Sequence, residues 1–397
     1  MIKYSVAKKI FLTLILFTGI ATGYLMGNAA TTHSLPDLTL TEILSPLAGA
    51  KRQVIGFLPY WLLDRAQTDY SRFINQLDYF GLTAAPDGTI VKELNPGEAE
   101  PGWYNLNSGK LDPFFQNAKD HQIKLGLVVF SSDETAIGQL ISQPANHAHK
   151  LVEAVGPLMK QYGFSELNLD IESVLTASDE ARQNFTTLVK TIRQDMTEQN
   201  LGRLSIDVSP IVLVKPYLVD VAAVAPTVDA VILMTYDYHY AGSIVTGPVA
   251  PVNGAGTEAE FDTATAIALA RKILPPEKII LGLPLYGYRW ETLTDNPRSA
   301  VLVGSGISIS NQKAEEFIAS CASCSAQIDH YGQESYVIYR DQDTDTYYQL
   351  FYPDQMATAA KLKLAESGRL GGVALWALGY EGKTILTPLE NYRSTWR

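Results

Sequence analysis

Cysteine is nearly missing: the 397 residues hold two, Cys321 and Cys324, as a lone CxxC. Two thiolates leave a zinc ion half-coordinated, and none of the six histidines offers a partner at metal-ligand spacing. No metal or other cofactor is therefore expected. The pair does not open a helix behind a strand in a βαβ unit, which sets aside thioredoxin-type redox chemistry. In an oxidising compartment the two would close a local disulfide; two free thiols are the other reading. Charge is sparse as well, at 18%, with 42 acidic against 31 basic residues and a net charge of −11. No long basic run occurs, so nucleic acid is not an expected partner, and the acidic balance fits a neutral polymer substrate. No glycine-rich phosphate loop follows the first apolar run, and no GxSxG elbow occurs, which argues against a dinucleotide-binding sheet and a serine hydrolase.

The chain has one long apolar run. Lys3, Lys8 and Lys9 precede Ile10–Met26, and Gly27, Ala29 and Ala30 follow. A basic start, an apolar stretch and a small-residue exit describe a secretory signal. The stretch also approaches the ~17–25 residues of a membrane-spanning helix, so residues 1–30 read as a signal peptide or as an uncleaved N-terminal membrane anchor. Either way the rest faces outward: the protein is secreted or extracytoplasmic. Residues 31–50 read as a polar spacer, and 51–397 as the folded unit.

Eight short apolar, β-branched runs punctuate that unit: Val54–Trp61, Tyr79–Thr83, Leu125–Phe130, Glu166–Glu172, Leu204–Ser209, Ala230–Asp237, Ile279–Tyr286 and Gly372–Leu378. Segments of helical periodicity lie between most of them, such as Pro113–His121, Ala148–Tyr162 and Ala181–Glu198. Alternating strands and helices predict a parallel sheet, and eight units predict its closure into an α/β fold, the (β/α)8 TIM barrel. A doubly wound open sheet is the competing architecture. Residues 289–352 interrupt the rhythm with a helix-like piece (Gln312–Ala319) and two strand-like runs (Tyr336–Arg340, Tyr347–Tyr352), predicting a small α+β insertion after the seventh strand. Asp354 then reads as the N-cap of a helix running to about Glu366.

The fourth run carries the chemistry. In Glu166-Leu-Asn168-Leu-Asp170-Ile-Glu172, strand alternation sends Leu167, Leu169 and Ile171 toward the helices and Asn168, Asp170 and Glu172 into the barrel. Buried polar groups are costly unless hydrogen-bonded, and active sites of this fold sit where such a strand ends. Tyr286 closes the seventh run facing inward and is a candidate binding residue at the mouth. Tyr60 and Trp61, Trp103-Tyr104 and Tyr238-His239-Tyr240 lie in segments that reach the same mouth. Asp207 and Ser209 share a face of the fifth run and extend the polar network.

These segments together resemble glycoside hydrolase family 18, the chitinase family. Phe164–Glu172 resembles its DxxDxDxE signature; Met234-Thr-Tyr236-Asp237 its MxYD motif; Leu281–Gly287 and Gly371–Trp376 its seventh- and eighth-strand motifs. By that resemblance the chain is a retaining, substrate-assisted glycosidase acting on β-linked N-acetylglucosamine-containing polysaccharide or oligosaccharide, of chitin or peptidoglycan type. Glu172 would protonate the leaving oxygen, and Asp170 would orient the substrate acetamido group. Tyr236 would bind the acetamido carbonyl, Asp237 would contact the sugar, Trp376 would floor the reacting ring and Met234 would shape the pocket. Ser165 and Glu166 stand where the signature has aspartate and glycine. Asn168 stands where many chitinases carry a second aspartate, with its amide expected to hold Asp170. Asparagine there resembles the spore-cortex and peptidoglycan-directed branch; a lectin-like, catalytically weak member of the family is the alternative.

Overall fold

Leu167, Leu169 and Ile171 are buried outward while Glu166, Asn168 and Asp170 point inward, the two-residue period of a pleated strand. The computed structural model describes residues 52–258 and 260–394, so the N-terminal segment and the spacer lie outside the described residues. Eight parallel strands close into a barrel: β1 (Gln53–Pro59), β2 (Gln76–Thr83), β3 (Lys124–Ser131), β4 (Glu166–Ile171), β5 (Arg203–Val208), β6 (Ala230–Leu233), β7 (Ile279–Pro284) and β8 (Gly372–Trp376). Each pairs with its neighbour in sequence, and β8 returns to β1 from Gln53↔Gly372 to Gly56↔Leu375. The fold is a (β/α)8 barrel.

Outward side chains such as Leu127, Leu169, Leu204 and Val231 pack against the surrounding helices, which include Pro144–Tyr162 and Asp179–Glu198. The second of these starts on Ser178, whose hydroxyl accepts Ala181 N–H, and the first stops at Gly163 in the left-handed region. The barrel interior has two characters. Ile55, Phe57, Phe80, Val128, Ala230, Ile232, Ile280 and Ala374 form an apolar filling. Opposite them, β2, β4 and β5 contribute Gln76, Asp78, Glu166, Asn168, Ser205 and Asp207, all buried. At the floor, Arg203 Nε lies 3.1 Å from Glu166 Oε2 and its Nη2 donates to Gln53. Gly126 makes room there: a β-carbon on it would fall on the Asp78 carboxyl.

Several strands end earlier than expected, and three of these ends bear on the site. β1 stops at Pro59 and turns into a 3-10 segment, Tyr60–Leu62. β6 stops at Leu233, because Thr235 N–H bonds back to Leu233 O and Tyr236 N–H to Met234 O. β7 stops at Pro284, so Tyr286 does not close that strand: it opens the first strand of the insertion. Proline has no N–H to continue a ladder. The insertion is larger than its sequence suggested, an antiparallel sheet in the order Ile307–Ser310, Tyr286–Thr292, Thr346–Tyr352, Ser335–Asp341, Gln327–Ile328, with helix Asn311–Ser320. Cys321 and Cys324 form a disulfide just beyond that helix. Asp354 caps the helix Gln355–Ser367 through Ala357 N–H. Among the described residues, no helix is long and apolar enough to cross a membrane.

Candidate active site

At the carboxyl end of β4, Glu172 follows the last ladder residue, and its N–H donates to Ser131 O at 2.8 Å. The next two residues are clamped by Glu134, which accepts Ser173 Oγ–H at 2.9 Å and Val174 N–H at 2.8 Å. This grip fixes the backbone that aims Glu172 into the mouth, where its side chain meets solvent. The barrel wall thins its hydration and Asp237 faces it with like charge; both push its pKa up, burial more strongly. Asp170, two residues deeper and 4% exposed, is pushed well above the usual carboxylate range by burial, then by Asp207 and Glu172.

The segment after β6 supplies the opposite wall. Met234 N–H still donates to Val208 O, and Thr235 Oγ1 donates to Gly282 O at 2.7 Å; the chain then swings Tyr236 over the barrel. Gly282 gives the ring its place, since a β-carbon there would lie 3.0 Å from Tyr236 Cε1 and 2.6 Å from Leu233 O. Burial raises the Tyr236 phenol pKa first, followed by the charges of Asp207, Asp170, Glu172 and Asp237. One phenol thus feels the charge of all four carboxylates. Asp237, at φ +58°, accepts hydroxyl hydrogens from Tyr286 at 2.6 Å and Tyr288 at 2.9 Å. Those bonds oppose the upward push of burial on its pKa without cancelling it. The insertion therefore orients a residue of the barrel mouth.

Trp376 ends β8 half-buried, edge-to-face with Phe80, Phe57 and Trp61 at centroid separations of 4.8, 5.9 and 6.2 Å. Its peptide bond to Ala377 is cis. Of the two aromatics after β1, Tyr60 packs on the layer between barrel and helices, while Trp61, 45% exposed, stands beside Trp376. Met234, Ser209, Asp207 and Glu172 line a side cavity of about 70 Å³.

Asn168 departs from its expected bond. It donates to Ser205 Oγ at 3.0 Å and Asp207 Oδ1 at 2.7 Å, which uses both amide hydrogens and leaves none for Asp170. The cause is register: β4 and β5 pair at Asn168↔Ser205, which sets Asn168 against β5 side chains. Among the looser loop candidates, Trp103 lies under Lys92 Nζ at 4.8 Å, His239 Nδ1 is 2.8 Å from Pro248 O, and Tyr104 and Tyr240 are exposed. Tyr238 packs toward Phe261. Glu134 and Tyr288 escaped the sequence reading. The period-two series Tyr286, Tyr288, Trp290 was the available signal for the second of these.

Residues 88–381 match the family described as Glycosyl hydrolases family 18. The chain belongs to that family. With it the chain joins the glycosidases, and the matched residues include both walls of the mouth. The cortical fragment-lytic enzyme of Bacillus subtilis (strain 168) is 23% identical over 333 residues, covering 80% of this chain and 67% of that enzyme. A class V chitinase of Arabidopsis thaliana is 31% identical over 189 residues, covering 45% of this chain and 48% of the chitinase. Among solved structures, a family 18 chitinase variant from Cycas revoluta in complex with (GlcNAc)4 superposes with a TM-score of 0.71 at 22% identity, covering 86% of this chain and 99% of that one. That likeness establishes the shared fold.

Proposed function

We propose that this family 18 protein is a retaining, substrate-assisted glycosidase that cleaves β-linkages beside N-acetylglucosamine, with peptidoglycan-type glycan ahead of chitin. The observation that carries the reading is the pairing of Glu172, open to solvent at the mouth, with Asp170, buried directly beneath it. The upward push on its pKa favours a protonated Glu172, which gives its proton to the bridging oxygen as the C1–O bond breaks. In the common retaining scheme a second carboxylate, about 5–5.5 Å from the acid, attacks C1. Asp170 is sunk in the barrel beneath Glu172, so it suits a different task. The nucleophile in this reading is the substrate's acetamido oxygen, which closes an oxazolinium ring on C1. Asp170 accepts the amide N–H and offsets the positive charge that develops on it. Tyr236 donates to the acetamido oxygen, Asp237 meets the sugar, Trp376 floors the ring and Met234 borders the pocket. Glu172, now a carboxylate, takes a proton from the water that opens the ring, and the β-configuration returns.

The preference for peptidoglycan rests on Asn168 and on the length of chain shared with the cortical fragment-lytic enzyme. The basic, apolar, small-residue order of the N-terminus supports placement outside the cytoplasm, as a released enzyme or one tethered by that segment. Purified protein and Glu172→Gln would be compared on peptidoglycan and chitooligosaccharides, with products read by mass spectrometry and anomeric configuration by proton NMR. The wild type should release β-anomers and the variant should lose about 10²–10⁴-fold in rate. α-Anomers, or equal rates for the two proteins, would refute the mechanism. Sugar binding without turnover would favour the lectin-like alternative.

A further inference from the structure

Asp207 is a charged group that the mechanism leaves without a task. The register Leu169↔Ile206 makes Asp170 and Asp207 the next residues on adjoining strands, both turned into the barrel. They are 4% and 6% exposed. Among the described residues no ion pair reaches either one, and Arg203, the cation on the same strand, is committed to Glu166 and Gln53 at the floor. Asn168 bonds Asp207 and not Asp170, and Asp170 Oδ1 and Asn168 Oδ1 both lie buried without a hydrogen-bond partner. A structural carboxylate in such a place would be expected to have a cation or several N–H donors. Asp207 has one amide.

We propose that Asp170 and Asp207 hold one proton between them, and that Asp207 is a positioning residue that sets when Asp170 becomes charged. The inference rests on the glycosidase reading above and adds a residue from β5 to it. Two carboxylates side by side in a low-dielectric interior cannot both ionise, so the first deprotonation belongs to the pair. The groups facing them are all acidic or neutral apart from Arg203: Glu172 above, Asp237 and Tyr236 across the mouth, Glu166 below and Asp78 from β2. When the acetamido N–H arrives, the shared proton rests on Asp207 and Asp170 presents its charge. On departure it can return to Asp170. No proton enters or leaves the pair, and the charge facing Glu172 stays constant during proton transfer.

Asp207→Asn keeps the size of the side chain and removes the second carboxyl. In the productive form Asp207 carries the proton and is neutral, so the variant removes the shared proton and no charge. Asp170 must then ionise alone, and the acidic limb of the kcat/KM profile should move up by about 1 pH unit. Asn168→Asp combined with Asp207→Asn returns a carboxyl beside Asp170 from β4 and should restore the limb. A purely structural role would lower activity or stability without moving it. A wild-type profile in Asp207→Asn, or a folded double variant that keeps the single variant's profile, would overturn the proposal. A second arm needs no turnover. A carboxyl whose folded pKa is raised loses its stabilising share as pH rises through that pKa, so the urea stability of Asp207→Asn should gain on the wild type between about pH 4 and pH 8. Identical pH dependence of the two proteins would also overturn it. Failure of the wild type on every glycan with this arm intact would instead condemn the glycosidase reading.

Discussion

Tyr236 shows how one side chain joins the two halves of the site. Its ring meets the edge of Tyr286 with centroids 6.2 Å apart, and Gly282 opens the space it occupies. In the proposed reaction its hydroxyl acts only as charge moves onto the acetamido oxygen. Tyr236→Phe keeps the ring contacts and should fold as the wild type does, with an unchanged melting temperature. The rate constant kcat should fall by about 10²–10³-fold, the cost of losing one such donor, while KM changes little. A loss under threefold would remove Tyr236 from the reaction. Glu172 and Asp170 could be located in the sequence because strand alternation and motif order both pointed at them, and Tyr236 by motif order alone. The Asn168 bond could not: which neighbour takes an amide hydrogen depends on cross-strand register, and single-strand alternation is blind to it. Tyr60 and Trp61 show the same limit, since the 3-10 turn after β1 decides which ring faces the cleft.

Among the elements, the insertion carries the least expected burden. Glu334, fully buried just before the strand Ser335–Asp341, accepts Val249 N–H at 2.7 Å, Ala250 N–H at 3.0 Å and Lys361 Nζ–H at 2.7 Å. One carboxylate thereby joins the insertion, the loop that follows Asp237 and the helix before β8. Tyr238 N–H donates to Val249 O, so this junction stands one hydrogen bond from the motif that bears Tyr236 and Asp237. Lys361→Met removes the cation and strands a buried charge, which should cost about 3–5 kcal/mol in urea unfolding. It should also slow turnover, because the loop holding Asp237 loses its anchor. A stability loss below about 1 kcal/mol would mean the backbone donors suffice. The eight barrel strands were legible because each alternates around an apolar core. The inserted sheet was read only in part: two of its strands, Ile307–Ser310 and Gln327–Ile328, are too short to show a period. A lysine on the buried stripe of Ala357, Lys361, Leu362 and Ala365 was the visible trace of the Glu334 junction.

On the scale of the whole molecule the dominant quantity is charge, −11 over 397 residues, and it bears on the choice of polymer. The aspartate pair at the site adds a negative charge that no ion pair reaches among the described residues, so the field at the mouth repels anions. Chitooligosaccharides are neutral, and their approach should be indifferent to ionic strength. Peptidoglycan carries carboxylates on its lactyl and peptide groups, and the acidic protein should repel it at low salt. Screening shortens from a Debye length of about 30 Å at 0.01 M to about 8 Å at 0.15 M, so added salt should relieve that repulsion. On soluble peptidoglycan fragments kcat/KM should therefore rise several-fold over this range, while on chitooligosaccharides it stays flat. Initial rates at matched substrate concentrations, in sodium chloride series at constant pH, would measure both slopes. If salt instead suppressed cleavage of peptidoglycan, a local cationic track along the cleft would have to outweigh the net charge. Lys92 beside Trp103 would be the first residue to replace, since it is a cation within reach of an aromatic candidate at the mouth.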